Sequence, residues 1–219
     1  NKEKIKVPFN VLVGFIVSGI IIAAHWLTFY QAIKVSNVSI TLACLSTGAF
    51  FASILEPIFY KIKVIWYELL FGIIVVVGLG IIFNVETKYT TGIYLAVTSA
   101  FLSALFPIFN KRLIQHIPAA NLTLYELSGG WLMLSLLLPL YLQFSPAEKH
   151  IPSLNDWFWL LMLALFCTVL AFQLSVNALK KISPFTANLT YNLEPVYGIL
   201  LAFLLYNEKK NGGFWQRLC

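Results

Sequence analysis

Apolar residues dominate this chain in seven long runs that are separated by short polar stretches. The runs cover roughly residues 8–33, 37–60, 64–84, 90–113, 120–143, 156–180 and 184–207. Each run has about the 20 residues that an α-helix needs to cross a bilayer. The short alternating segments of a membrane barrel do not occur in the sequence. The pattern therefore predicts an all-α membrane protein with seven transmembrane helices.

Composition supports this prediction and argues against several other classes of function. The chain is 59% hydrophobic and 11% charged, whereas soluble domains carry about 25% charged residues. A net charge of +6 could indicate nucleic-acid binding in a soluble protein, but here the basic residues lie between apolar runs, where they determine topology. The three cysteines form no metal or redox motif. We expect no cofactor, no metal and no nucleic-acid partner.

The basic residues are distributed unequally between alternate connections, which predicts the orientation. One set of connections holds nine of them and the other set holds three before the last run. Because cytoplasmic loops carry the excess of Lys and Arg, the start of the chain is expected in the cytoplasm. The nine are Lys2, Lys4, Lys6, Lys61, Lys63, Lys111, Arg112, Lys180 and Lys181, and the three are Lys34, Lys88 and Lys149.

Two pairs of runs share a layout that indicates an internal repeat. Short turns at residues 32–37 and 178–184 join the first run to the second and the sixth to the seventh, and each second run contains a Glu-Pro pair. The pairs lie five runs apart, an odd number, so the copies would have opposite orientations, as in many secondary transporters. Five-helix units would imply ten helices in all. The Glu-Pro pairs do not align when the turns do, and chance repetition in so biased a composition is the alternative.

Three segments carry a resemblance to a known family: HWLTFYQAIKVSNVSITL from His25, FNKRL from Phe109, and NALKKISPFTANLTYNLEPVYGILLAFLLYNE from Asn177. They resemble the EamA-like branch of the drug/metabolite transporter superfamily. The resemblance implies ten helices in two inverted five-helix repeats around a central cavity, with this chain supplying helices three to nine. Residues 1–86 would end the first repeat, 87–210 would begin the second, and 211–219 form an atypical tail where the last helix should start.

The same resemblance implies a function. The expected activity is secondary transport, in the direction of export, of small metabolites such as amino acids or amines by alternating access. The expected location is the bacterial inner membrane, as a multi-pass monomer or weak homodimer. A permease for phosphorylated sugars or nucleotide sugars, which the superfamily also includes, and a membrane channel are the alternatives. An enzyme is not expected, because no nucleophile, base and acid set can be found.

Glu194 is the first candidate for a functional residue. It lies beside Pro195 in the middle of the seventh run, and a charged residue at the centre of a membrane helix costs roughly 2.5–3.5 kcal/mol on insertion scales. Such a residue normally faces the protein interior or an aqueous path. Glu194 is therefore predicted to contact the substrate or to carry protons, although packing against a neighbouring helix would also explain it.

Other polar side chains recur at helical spacing and could line the same path. His25 shares a stripe with Ser18 and Thr28, and Glu126 is expected to reach the headgroup region near the start of its run. Helix packing is the alternative for each of these residues. The full set of candidate path residues is His25, Ser103, Asn110, Asn177, Tyr191, Glu194 and Tyr197.

Overall fold

A computed structural model describes residues 9–85, 87–115, 117–144 and 152–206, and within these ranges helices are joined by short turns and no strand is found. The predictions for Lys2, Lys4, Lys6 and Lys149, and for the tail 211–219, fall outside the described residues. The all-α prediction is confirmed for the part of the chain that the structure describes.

Ten α-helices are described, and their bounds follow the apolar runs closely. A π-helical segment, Leu163–Leu170, joins α7 directly to α8, and a short 3₁₀ turn, Thr87–Tyr89, precedes α5. The helices are α1 Phe9–Val35, α2 Val38–Leu45, α3 Gly48–Tyr60, α4 Trp66–Val85, α5 Thr90–Leu113, α6 Ala119–Phe144, α7 Leu154–Met162, α8 Ala171–Ala178, α9 Pro184–Tyr191 and α10 Leu193–Tyr206.

Five stretches of the described residues are long and apolar enough to cross a membrane. They are Val13–Val35, Val38–Tyr60, Thr90–Leu113, Ala119–Gln143 and Leu154–Ala178, and Trp66–Ile81 is a shorter apolar helix. Many large apolar side chains on these helices are exposed, as expected of a surface that faces lipid. The chain is thus a multi-pass membrane protein. The count of seven spans within a ten-helix fold stays a prediction.

The residues cluster into two compact units, and the boundaries fall inside α1, inside α5 and in the turn before α9. The first unit comprises Asn1–Ala23 with Phe109–Lys181. Its core is formed by buried apolar side chains from α1, from α8 and from the end of α5 to the start of α6. They are Phe15, Ile114, Ile117, Ala119, Leu122 and Val176.

Small residues let α1 and α6 approach closely within this first unit. A Cβ atom placed on Gly19 would lie 2.8 Å from the carbonyl carbon of Gly129 and 2.9 Å from the backbone nitrogen of Gly130. No real side chain fits in that space. The Gly129-Gly130 pair therefore serves as a contact surface, and α6 continues through it without interruption.

The second unit comprises Ala24–Ile108 with Ile182–Cys219. It holds two buried apolar clusters. The first contains Ala32, Ile40, Cys44, Ile93 and Ala96. The second contains Ala49, Ala52, Ala104 and Phe185. Alanine predominates at the contacts of α3 and α5, which is the small-residue packing that membrane helices use in place of a hydrophobic driving force.

The close approach at Gly19 generates a stability prediction. Gly19→Ala is expected to lower the thermal stability of the purified protein, because the methyl group meets backbone atoms, and overpacking of this kind costs about 1–3 kcal/mol. Gly14→Ala on the same helix is the control, since its Cβ would meet only the Leu113 side chain at 3.5 Å. Thermal unfolding in detergent measures both variants. Equal melting temperatures would contradict the close packing.

The orientation generates a second prediction, which cysteine labelling can check. In a background without Cys44, Cys167 and Cys219, a membrane-impermeant thiol reagent is expected to label Lys88→Cys from outside the cell. Arg112→Cys should react only after the inner face is opened. Both positions are exposed, so failure to react cannot be ascribed to burial. Labelling in the opposite order would reverse the topology.

Candidate functional site

Two helices of the second unit are interrupted at similar positions. One begins after the cap residue Asn37, runs for eight residues as α2, stops, and resumes as α3 at Gly48. The other begins after the cap residue Ser183, runs for eight residues as α9, stops at Asn192, and resumes as α10. The sequence pattern predicted each as one continuous run.

Local chemistry explains where each helix stops. At the first interruption the Thr47 hydroxyl donates to the Cys44 carbonyl oxygen at 2.7 Å, and such side-chain bonds compete with the helical backbone pattern. At the second, Pro195 has no backbone N–H to donate to the carbonyl of Tyr191, four residues earlier. Tyr191 is the last residue of α9. The break thus lies four residues before the proline, at the position where a proline prevents the helical hydrogen bond.

Each half of one interrupted helix packs on a half of the other. Helix α2 contacts α10, and α3 contacts α9. In the first contact Gly198 admits the Leu42 side chain, whose Cδ1 atom occupies the space that a Cβ at that position would need. In the second, the Glu56 carboxylate accepts a hydrogen bond from the backbone N–H of Phe185 at 2.8 Å. The two interrupted helices therefore form one packed pair.

Neutral polar atoms surround the first interruption. A Cβ on Gly48 would lie 3.4 Å from both the Asn188 Oδ1 and the Ser103 Oγ atoms. The Asn188 amide is anchored by donating to the Pro184 carbonyl at 2.9 Å, and the Ser103 hydroxyl donates to the Ala100 carbonyl at 2.8 Å. Because Gly48 has no side chain, these two oxygens can lie close to the start of α3. Ser103, a predicted path residue, thus lies beside an interrupted helix.

His25 lies in the second unit and contacts α5. Its Nδ1 atom is 2.8 Å from the Ser99 hydroxyl and 3.0 Å from the Ser99 carbonyl oxygen. When Nδ1 carries the proton, it donates to the Ser99 carbonyl oxygen. This hydrogen bond fixes the orientation of the imidazole ring. The Thr28 hydroxyl bonds to carbonyls of its own helix, at Ala24 and His25. His25 is therefore held by a specific partner, and the interaction stabilises the contact between α1 and α5 in this unit.

The first unit contains a buried carboxylate. The Glu126 side chain is 0% exposed. The Ser18 hydroxyl donates to its Oε1 atom, and the Asn110 amide donates to its Oε2 atom at 3.1 Å. The structure thus places Glu126 inside the helix packing, where the sequence pattern favoured a position at the headgroups. Sequence separations of 108 and 16 residues explain why spacing alone did not reveal this cluster.

The remaining predicted path residues are more exposed. Asn177 is exposed in the first unit, and Tyr191, Glu194 and Tyr197 are exposed in the second. Glu194 occupies the first turn of α10, directly after the second interruption. The structure therefore brings Asn110 into the buried carboxylate cluster of its unit, Ser103 and His25 into polar contacts of the other, and leaves the three residues of the seventh run on the surface of the described chain.

A groove in the first unit runs along α6, opposite the π-helical segment and α8. Its volume is about 580 Å³, and it is lined mainly by apolar side chains with a few neutral polar groups. The lining residues are Ala120, Asn121, Thr123, Leu124, Leu127, Ser128, Trp131, Val169 and Gln173. Among the residues that the structure describes, no three His, Cys, Asp or Glu side chains are grouped for metal binding.

Comparison with known proteins identifies the chain's relatives. Residues 90–216, more than half of the chain, match the EamA-like transporter family. The chain belongs to this family. The resemblance drawn from the sequence motifs is thereby confirmed.

A bacterial relative adds to this match. A segment of 118 residues is 29% identical to "Uncharacterized transporter YetK" of Bacillus subtilis (strain 168). The match covers 53% of this chain and 35% of that protein, so the chain matches about a third of the relative's length. No solved structure matches the chain significantly.

The Glu56 contact generates a third prediction. At the start of α9, Pro184 has no N–H, Phe185 donates to Glu56, and Thr186 donates to the Ser183 hydroxyl at 3.1 Å. Glu56→Ala would leave the buried Phe185 N–H without this acceptor, which costs about 1–3 kcal/mol. Glu56→Gln keeps an acceptor oxygen and should lose less stability.

Thermal unfolding in detergent measures the series, with Ser183→Ala as the control. That variant removes an exposed cap, worth about 1 kcal/mol. If the alanine and glutamine variants at Glu56 were equally unstable, charge rather than the hydrogen bond to Phe185 would explain the contact.

Proposed function

We propose that the full-length protein containing this chain is a secondary transporter that exports small amphoteric or mildly cationic metabolites, such as amino acids or amines, by alternating access. Its seven spans would belong to ten helices in two inverted five-helix repeats, in a bacterial inner membrane, as a monomer or weak homodimer. The observation that carries the proposal is the packed pair of interrupted helices in the second unit.

Interrupted membrane helices are suited to binding small solutes. Where a helix stops inside the membrane, its free backbone groups need partners, and in many secondary transporters substrates and coupling ions bind at such points. Here α3 starts at Gly48 and α10 starts just before Glu194. The interruptions follow equal eight-residue segments, which supports the inverted repeat inferred from the turns.

The polar groups at the interruptions favour a substrate without a phosphate. Ser103 and Asn188 offer neutral oxygens beside Gly48, and Glu194 offers a carboxylate at the start of α10. Residues 46–48 and 192–194 include no Lys or Arg, the side chains that phosphate recognition normally requires. An amine or an amino acid fits this arrangement better than a sugar phosphate does.

The path that we propose includes His25, Ser103, Asn110, Asn177, Tyr191, Glu194 and Tyr197. Glu194 is the residue with the clearest role, either in direct contact with a cationic group of the substrate or in proton transfer during transport. The flanking Tyr191 and Tyr197 would add aromatic surface. All three side chains are exposed in the described chain, which supports the proposal that they contact a solute.

The fourth prediction concerns Glu194. In cells that express the full-length protein, Glu194→Gln is expected to reduce export of the substrate roughly ten-fold, because a hydrogen bond to a charged group contributes about 1.5 kcal/mol or more. Metabolite profiling of the growth medium identifies the exported compound and measures its rate. Glu68→Gln, another glutamate in the first turn of a membrane helix, is the matched control.

Selective accumulation of one amino acid or amine outside the cells, lost in the Glu194 variant alone, would support the proposal. Normal export by that variant at every pH would exclude both substrate contact and proton transfer as roles of Glu194. Uptake of a sugar phosphate into vesicles by the same protein would refute the substrate class.

A further inference from the structure

We propose that Glu126 is a proton-binding site, with Ser18 and Asn110 as its hydrogen-bond partners, and that it takes up and releases a proton during the transport cycle. The second half of this statement rests on the proposed transport function, whereas the binding of the proton does not. The site belongs to the first unit, whereas Glu194 and the interrupted helices belong to the second.

The site is a fully enclosed carboxyl group held by three helices. Ser18 on α1, Asn110 on α5 and Glu126 on α6 are each 0% exposed. Ser18 contacts one carboxyl oxygen and Asn110 contacts the other. Close packing of α1 on α6 at Gly19, one residue from Ser18, excludes water from this side. A carboxyl group in such a place is far more costly to hold as an ion than one at the membrane surface.

No cation compensates this carboxyl group in the described chain. The part of α1 in this unit and α8 contain no charged side chain. On α5, Lys111 donates to the Leu179 carbonyl at 2.6 Å and Arg112 is exposed. Lys180 and Lys181 follow α8 and are also exposed. None of these described groups forms an ion pair with Glu126. Two hydrogen bonds are then its only described partners.

Removing an ionised carboxylate from water costs several kcal/mol. The two donated hydrogen bonds offset only part of this cost. A proton removes the charge and needs no additional space. A larger cation would need further oxygen ligands and room to enter. The enclosed geometry therefore favours a proton as the ligand of Glu126.

Asn110 can serve both forms of the carboxyl group. Its Nδ2 atom donates to Glu126, while its Oδ1 atom is buried and has no hydrogen-bond partner in the described structure. A half-turn of the amide about its Cβ–Cγ bond exchanges the two atoms. Asn110 would then accept a hydrogen bond from the protonated acid at the position where it now donates to the anion. The unpartnered Oδ1 atom of Asn110 is thus an acceptor for the hydrogen bond that the protonated form of Glu126 would donate.

Infrared difference spectroscopy of the purified full-length protein tests the binding of the proton directly. A protonated carboxylic acid has a carbonyl stretching band that an ionised carboxylate lacks, and this band shifts when H₂O is replaced by D₂O. We expect such a band, its disappearance at alkaline pH, and its loss in Glu126→Gln. Glu56→Gln, which also removes a buried glutamate, should retain it.

Further variants separate the site from a general loss of folding. Glu126→Asp retains a carboxyl group and should retain a band, and Ser18→Ala should move the band because the acid loses one hydrogen bond. If no band depended on Glu126 at any pH while these variants remained folded, the proposal would be overturned. Stabilisation of the native protein by Na⁺, but not of Glu126→Gln, would assign the site to a sodium ion and would equally overturn it.

Transport measurements in vesicles test the coupling. The native rate should depend on pH, and Glu126→Gln should abolish that dependence, so that the ratio of its rates at acidic and alkaline pH falls to about one. Unchanged pH dependence in this variant would overturn the coupling. Absence of transport in the native protein would instead count against the proposed function, and the infrared band would still decide whether Glu126 binds a proton.

Discussion

The hydrocarbon interior of a membrane offers no water to a backbone N–H or C=O group, and this constraint applies wherever a helix of this chain begins among packed neighbours. An unsatisfied group there costs several kcal/mol. At the start of α9 the donors are accounted for in turn, because Pro184 has none, Phe185 donates to Glu56 and Thr186 donates to Ser183. A buried carboxylate from another helix thus makes it possible to start a new helix among packed neighbours.

The same constraint acts on polar side chains, and it connects residues that are distant in sequence. Glu126 reaches Ser18, His25 reaches Ser99 and Glu56 reaches Phe185, across 108, 74 and 129 residues. Each contact joins two helices that apolar packing alone would hold less specifically, since lipid is as apolar as leucine. The polar residues of this chain therefore determine which helices pair, and the same residues are the candidates for transport chemistry.

The helices could be predicted from the sequence because their lengths follow the apolar runs: the run at 90–113 coincides with α5. The family and its transporter class could also be inferred from motifs near the short turns. Two features could not be predicted from the sequence. The break at Thr47 depends on which competing hydrogen bond prevails, and the burial of Glu126 depends on which face of α6 meets α1. Both depend on tertiary contacts, whereas hydropathy reports only length and average polarity.

The two Glu-Pro pairs show how position within a helix changes the meaning of a motif. Pro57 is the tenth residue of α3, the helix continues past it, and Glu56 is buried. Pro195 is the third residue of α10, within the first turn, and the preceding helix ends four residues before it. Glu194 there is exposed at a helix start, where the helix dipole favours a negative charge. A buried carboxylate that completes a packing contact and an exposed carboxylate at a helix start can thus share one dipeptide, and the distance from the helix start distinguishes them.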